Sequence, residues 1–421
     1  MQPVRPLGLV SATSLVIANM LGTGVFTTSG FLIADLGSPQ WVILAWLAGG
    51  AIALLGALSY GSLACAIPES GGEYLFLRRT LHPAAGYVAG WVSMLAGFSA
   101  PIAMAAWGFG EYLGAWLPGV PVKLSGSLLI LGFAAVHAFD VARGAWVQNL
   151  AVAAKLALLA VFVAFAGHVL LAPQEVASAA FVPSAFATSL VWISFSYAGW
   201  NAAVYVASEV RDPERNLVRS VVLGTAIVTA VYVVINAIFV LGAPAAAIAG
   251  QVAVAQIAAR HIGGAALENG VTAIVLLALA TSVSAMVMAG PRVCARMADD
   301  GLLPALLRSR PGAPRAGIAL QLALSLAFLW TNTFELLLGY IGFTLSLSTA
   351  LTVAGLMRWK LQRPELEVIG WPVVPLAFLV FVAWALVFSL GRLQGGALWG
   401  LATIAAGALA WWLQEGRRGA R

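Results

Sequence analysis

The sequence predicts an all-α polytopic membrane protein: an inverted five-plus-five helix repeat with discontinuous first and sixth helices, plus two C-terminal helices. Three observations predict it. Apolar stretches of about twenty residues, the length a helix needs to cross hydrocarbon, recur along nearly the whole chain. That chain is 61% hydrophobic and 9% charged, with a mean hydropathy of +0.95, well beyond the roughly half apolar content of soluble domains. Lys and Arg are confined to alternate gaps between the stretches, and two stretches carry matching Gly-rich interruptions.

Twelve spans are expected, at about 8–34, 39–66, 84–117, 123–141, 146–170, 183–208, 217–241, 267–298, 314–331, 333–357, 370–390 and 396–413. The first reads as part of the mature protein, because a cleavable leader has no use for a Gly-rich break and this stretch has no convincing small-residue cleavage site. The external loop at 242–266 has room for a short helix and is a candidate moving lid.

Orientation follows from the gaps. Of the 22 Lys and Arg, Lys123, Arg260 and Arg392 fall on one side, Lys155 lies inside a span, and the remaining 18 fall on the other side. The positive-inside rule then places both termini in the cytoplasm, in a plasma membrane that is the inner membrane if the source is a Gram-negative bacterium. Basic loops facing anionic lipid account for the pI near 9.6. The basic residues are dispersed rather than gathered into one face with aromatic partners, so the expected surroundings are a lipid bilayer and no nucleic acid.

Several chemistries lack their residues. Cys65 and Cys294 sit near expected cytoplasmic helix ends, where a disulfide is disfavoured, and they form no metal pattern. No Walker loop or His-based metal signature occurs, and His82, His137, His168 and His261 are scattered across segments. No enzyme activity, catalytic residue, cofactor or metal is therefore expected, and the energy for pumping must come from an ion gradient or from exchange. A channel is disfavoured because the polar interruptions cluster at one depth, as for a central site with alternating access. A transporter-derived receptor normally carries an added output domain, for which the tails are too short.

The interruptions are Met20-Leu21-Gly22-Thr23-Gly24-Val25-Phe26 in the first span and Phe195-Ser196-Tyr197-Ala198-Gly199-Trp200-Asn201 in the sixth. Glycine costs a helix about 1 kcal/mol, and unwound backbone survives in a bilayer only where protein or a water-filled cavity satisfies it. Taken singly, either string also fits close packing of small residues. A matched pair five spans apart instead predicts two repeats of opposite topology: residues 1–170 and 171–365, with 366–421 supplying two further helices and a short tail.

Four strings in order, each at the end of the appropriate span, resemble the amino acid-polyamine-organocation superfamily, in its L-type amino acid transporter-like branch and with the short loops and tails of a bacterial-type member. They are Gly22-Thr23-Gly24-Val25-Phe26; Pro68-Glu69-Ser70-Gly71-Gly72-Glu73-Tyr74; Phe195 to Asn201 followed by Glu209-Val210-Arg211-Asp212-Pro213-Glu214-Arg215-Asn216; and Arg292 with Ala295 to Pro304. The resemblance covers about 8–413. It implies amino-acid transport. Animal exchangers of this branch pair with a single-span glycoprotein through a cysteine after the third span. The matching segment Pro118-Gly119-Val120-Pro121 has none, so no obligatory disulfide-linked subunit is expected.

The breaks suit an α-amino acid on physical grounds as well. Amides near Gly22, Thr23 and Gly24 open a half-helix and can receive a carboxylate. Carbonyls around Met20, Phe195, Ser196 and Ala198 can receive the ammonium. The Thr23 hydroxyl either joins them or bonds within its own helix. By resemblance Phe195 closes over the substrate from outside, with core packing as its alternative. Trp200 is a wall residue and Asn201 either a site residue or a cap. Neither break holds a carboxylate for a cationic side chain, and Glu111 lies near the far end of the third span, so neutral substrates are favoured over cationic amino acids or polyamines.

Lys155 is the basic residue deep within a span, where an ammonium is costly unless paired or deprotonated. By resemblance it occupies the position at which sodium-coupled relatives bind an ion, bridging the first and eighth helices. It would then meet carbonyls near Gly22 and hydroxyls such as Thr281, Ser282 or Ser284. The alternative is a static internal cation, and either version argues against a sodium requirement. Glu209, at the inner end of the sixth span, is a weaker gating candidate. Proton symport, uniport and obligatory exchange remain the open transport modes.

Overall fold

The computed structural model describes residues 7–69, 71–139, 141–171, 179–309, 313–392 and 394–419. Ser70 of the second string and the basic residues Arg5, Arg310 and Arg421 lie outside them. Two short helices, α1 (Leu9–Met20) and α2 (Gly24–Leu36), make the first span and meet at a 45° bend. The second span, α3 (Pro39–Ala66), starts on a proline in its first turn, where the missing N–H costs the helix nothing. After α4 (Gly72–Thr80), the third span runs from α5 (Pro83–Val92) through a π-helical segment at Ser93–Ser99 into α6 (Ala100–Leu113). There follow α7 (Val122–Phe139), α8 (Val141–Ala166), α9 (Pro183–Tyr197), α10 (Pro213–Leu241), α11 (Ala245–Ile248), α12 (Val254–Asp299), α13 (Arg315–Thr331), α14 (Phe334–Gln362), α15 (Val373–Leu390) and α16 (Gln394–Gly419).

The protein is an all-α, multi-pass membrane protein. Among the described residues, eight helical stretches are long and apolar enough to cross a bilayer, and the bent α1–α2 pair makes nine. The other three of the twelve expected spans are shorter. Helices α7 and α13 include the shorter apolar stretches Val122–Ala138 and Arg315–Thr331, and the sixth span continues beyond α9 as a 3-10 segment, Ala202–Glu209. A 3-10 helix rises about 2.0 Å per residue against about 1.5 Å for an α-helix, so it stretches a short span further.

One boundary differs from the sequence reading. Helix α12 begins at Val254 and leaves helical geometry at Gly263 and Gly264, so the 242–266 loop contains α11 and the first turns of α12. Adjacent glycines permit that kink because they tolerate conformations other residues avoid.

Packing brings the two broken spans together. Helix α1 packs on α10, α2 on α9 and α10, and α8 on α12. Behind the breaks lies a buried aromatic group, with the Tyr232 ring centroid 5.4 Å from Trp46 and 5.1 Å from Tyr197. Helices α15 and α16 turn Phe381, Leu398, Trp399 and Trp412 outward, an apolar exterior that lipid covers and water would penalise.

Candidate functional site

The first break is a short unwound joint. Helix α1 closes with Leu21 N–H donating to Ile17 at 3.0 Å, and Gly22 N–H turns back to Met20 O at 2.6 Å. Helix α2 restarts at Gly24, and the first amides of an α-helix have no carbonyl four residues back to bond. Phe26 N–H returns to Thr23 O at 3.1 Å. The Thr23 hydroxyl makes no capping bond, while Thr27 donates to the Thr23 carbonyl at 3.0 Å.

The second break faces the first. Helix α9 ends at Tyr197, and Gly199 adopts φ +107°, a conformation that L side chains rarely take. A Cβ on Gly199 would stand 2.9 Å from the Asn19 carbonyl carbon, and one on Gly24 would stand 2.6 Å from Ser196 Cα. The two strings therefore touch backbone to backbone, which only glycine allows. Side chains add a link: the Ser196 and Thr28 hydroxyls are 3.1 Å apart.

A residue that the sequence left unmarked joins them. The Tyr232 hydroxyl of α10 donates to the Met20 carbonyl of the first break and lies 3.0 Å from the Ser196 carbonyl of the second. Two carbonyls from different breaks thus converge on one donor. A tyrosine inside an otherwise ordinary apolar helix gives no periodicity signal for such a role.

Lys155, only 1% exposed, donates from Nζ to the Leu21 carbonyl at 2.5 Å, so α8 is tied to the first break. On α12, Ser282 and Thr281 donate to the Ala278 carbonyl of their own helix at 2.9 Å each, and Ser284 lies 2.9 Å from His137 Nε2 of α7. Beside the joint, the Ser282 Oγ of the eighth span would be 3.6 Å from a Cβ on Gly22.

Comparison with known proteins identifies this arrangement. The model of the amino acid permease family matches residues 7–411. The chain belongs to that family. It is 27% identical to the human large neutral amino acids transporter small subunit 2 over 410 residues, covering 92% of this chain and 76% of that protein. The mouse b(0,+)-type amino acid transporter 1 is 31% identical over 245 residues, 55% of this chain and 50% of that one. The mouse Asc-type amino acid transporter 1 is 25% identical over 409 residues, 91% and 76% respectively. Together these place the permease in the amino acid-polyamine-organocation superfamily, in its L-type branch.

In this permease the other sequence-marked residues spread away from the joint. Phe195 stays with it, in the last turn of α9 and buried. Trp200 is buried too, but packs edge-on against Tyr60 of α3 at 4.7 Å. Asn201 makes no helix-capping bond; its side chain reaches the Tyr205 hydroxyl. At Glu209 the backbone is engaged, accepting from Leu7 N–H at 3.1 Å, while Arg211 N–H donates to Leu7 O at 2.8 Å. That pairing straps the N-terminal segment to the end of the sixth span at the arginine-rich end of the bundle. At the opposite end, Gly250 N–H donates to Gly30 O at 2.8 Å, holding the 242–266 loop on α2. Glu111 accepts from Trp107 of its own helix at 3.0 Å.

Proposed function

We propose that this permease is a sodium-independent secondary active transporter of amino acids with neutral side chains, working by alternating access at the joint between the two broken helices. The observation that carries the reading is the convergence of the Met20 and Ser196 carbonyls on one hydroxyl, beside the first turn of α2, which no side chain caps. Such a joint offers acceptors to an ammonium and donors to a carboxylate within one small volume. The side chain is left to the walls. The Thr23 and Gly24 amides receive the carboxylate, beside Gly22, whose own N–H turns back to Met20, and carbonyls of Met20, Phe195, Ser196 and Ala198 receive the ammonium.

The arginine-rich end faces the cytoplasm, with both termini there, in the plasma membrane. Residues 1–170 and 171–365 act as the two inverted repeats, and 366–421 pack outside them. No disulfide-linked partner or cofactor is needed, and the chain catalyses no covalent chemistry. The printed names of the relatives, which include large neutral amino acids, support the neutral class.

Lys155 supports sodium independence. Its amino group already takes the Leu21 carbonyl, so an alkali ion approaching the joint from α8 meets a competing donor instead of an oxygen. Replacing external sodium by choline should leave uptake unchanged. Uptake that requires sodium overturns this part of the reading.

Tyr232→Phe separates the seat of the ammonium from general packing. The ring contacts survive, but the two carbonyls lose the single hydroxyl proton they share, at about 1–3 kcal/mol for a group left unpaired. The substrate-free variant should unfold at lower temperature in detergent, and saturating amino acid should stabilise it more than it stabilises the wild type, because the ammonium supplies the missing donor. Equal stabilisation of both proteins removes the ammonium from this position. Phe195→Ala should weaken occlusion and slow turnover; unchanged transport leaves Phe195 as core packing.

Uptake of a labelled amino-acid panel into proteoliposomes tests the function itself. Uptake only with internal amino acid assigns exchange; uptake without it, enhanced by an inward proton gradient, assigns symport. Failure to move any amino acid in either format rejects the proposal.

A further inference from the structure

A second buried cluster lies at the arginine-rich end, at the base of the sixth span. Glu73, in the first turn of α4, is only 4% exposed. Its carboxylate oxygens accept from the Tyr60 hydroxyl of α3 at 2.8 Å and the Ser348 hydroxyl of α14 at 2.8 Å. The glycine pair before it makes this depth attainable. Gly72 has φ +55°, and a Cβ there would overlap the Tyr205 ring, so the start of α4 lies directly on the 3-10 half of the sixth span.

Among the described residues, what surrounds the carboxyl is hydroxyl and not cation. Tyr60 reaches it from α3, Ser348 from α14, and Tyr205 stands beside it. The basic groups of the elements packed on α4 turn elsewhere. Arg78 pairs with Asp300 at 3.2 Å and Arg79 with Glu69 at 2.7 Å. Arg358 of α14 donates to the Leu81 carbonyl at 3.2 Å, and Lys360 to that of Pro364. Tyr74 donates to Asp300 at 2.6 Å, and on α5 the Tyr87 hydroxyl accepts from Gln414 at 3.2 Å. A buried carboxyl with neutral partners favours its protonated form. Burial accordingly raises the Glu73 carboxyl above the usual carboxylate range, against the lowering effect of its two hydroxyl donors.

We propose that Glu73 is a proton-binding site that locks the inner gate: the proton is held while α3, α4, α14 and the base of the sixth span are packed together, and is released when they part. The link to the transport site is Trp200, whose ring packs on Tyr60 at 4.7 Å directly after the second break. Parting these elements admits water and favours the ionised carboxylate; closing them expels water and favours the acid. At pH values below the carboxyl's value in the open state, both states hold the proton and the closed state keeps its full stability. As the pH rises through the higher value of the closed state, the buried carboxylate penalises closure and the gate opens. Between the two values, each pH unit shifts the open-to-closed ratio by up to about tenfold.

The proposal rests on the transport reading for its consequence, but the proton is measured separately. Full-length protein in lipid vesicles is titrated by infrared difference spectroscopy, following the C=O stretch of a protonated, buried carboxylic acid. The wild type should show a band titrating above the ordinary carboxylate range, absent in Glu73→Gln and shifted in Glu73→Asp. In counterflow of a labelled neutral amino acid, the wild type should slow by about tenfold across the acid limb, whereas Glu73→Gln should stay slow and flat with pH. A band that survives in Glu73→Gln, or a wild-type pH profile in that variant, overturns the proposal. If Glu73→Gln fails to fold, an unshifted band in Glu73→Asp overturns it instead. A wild type that moves no amino acid rejects the transport reading, while the infrared band still decides Glu73.

Discussion

Lys155→Ala should reduce amino-acid uptake by about tenfold or more while the protein still inserts and folds. The side chain spans from α8 to the Leu21 carbonyl in the first break, and removing it leaves a buried acceptor unpaired at about 1–3 kcal/mol. That cost falls on the state in which the joint is packed, so substrate binding loses its coupling to closure. Insertion should not suffer, because the span is long and apolar and removing an intramembrane amine lowers its transfer cost. Sodium should not rescue the variant, since a cavity left by lysine is not automatically lined by enough oxygen ligands. Proteoliposome uptake, normalised to folded protein by size-exclusion chromatography, measures the effect. Near-wild-type uptake would mean that the Lys155–Leu21 bond has no part in the transport cycle.

Gly24→Ala should abolish uptake, and Gly22→Ala should be much milder. Sequence alone treats the two glycines alike, as twin members of one string. The structure separates them. A Cβ on Gly24 would lie 2.6 Å from Ser196 Cα, a backbone atom that cannot rotate away, whereas one on Gly22 meets its nearest neighbour, Ser282 Oγ, at 3.6 Å. The first forces the two breaks apart; the second makes ordinary van der Waals contact. Because the clash sits at the joint rather than between whole helices, Gly24→Ala should lose uptake more completely than folded yield. Binding of a labelled neutral amino acid to both purified variants tests this, and equal affinity in the two would contradict the placement of the joint. A Val at either position would add a branched side chain and strain the joint further.

The breaks were legible in the sequence because glycine in an apolar span has few other reasons to be there, and because the two strings recur five spans apart. The order of spans was legible from hydropathy alone. What hydropathy does not carry is reach across the fold. Tyr232 lies 212 residues from Met20, and its hydroxyl gives the same local signal whether it packs or donates. Glu73 lies in a string that the sequence marks only as part of the family resemblance; the contact of Gly72 with Tyr205 carries it inward. Trp200 and Asn201 continue the substrate string in sequence, yet the left-handed turn at Gly199 carries them towards Tyr60 and Tyr205. The π-helical segment at Ser93–Ser99 carries no comparable signal in the sequence, whereas the kink at Gly263 and Gly264 falls on a glycine pair.

The central claim is that backbone groups of both broken helices grip the two charged ends common to every α-amino acid. The most direct measurement is competition for binding of a labelled neutral amino acid to the purified protein by three unlabelled compounds: the amino acid itself, its decarboxylated amine and its deaminated acid. Loss of either charged group leaves the matching backbone donors or acceptors unpaired, at about 1–3 kcal/mol, or roughly five- to a hundredfold in affinity. The account predicts that only the intact amino acid competes at its own affinity and that both truncated compounds are weaker by at least that lower factor. Competition by the amine or the acid as strong as that by the amino acid would contradict it.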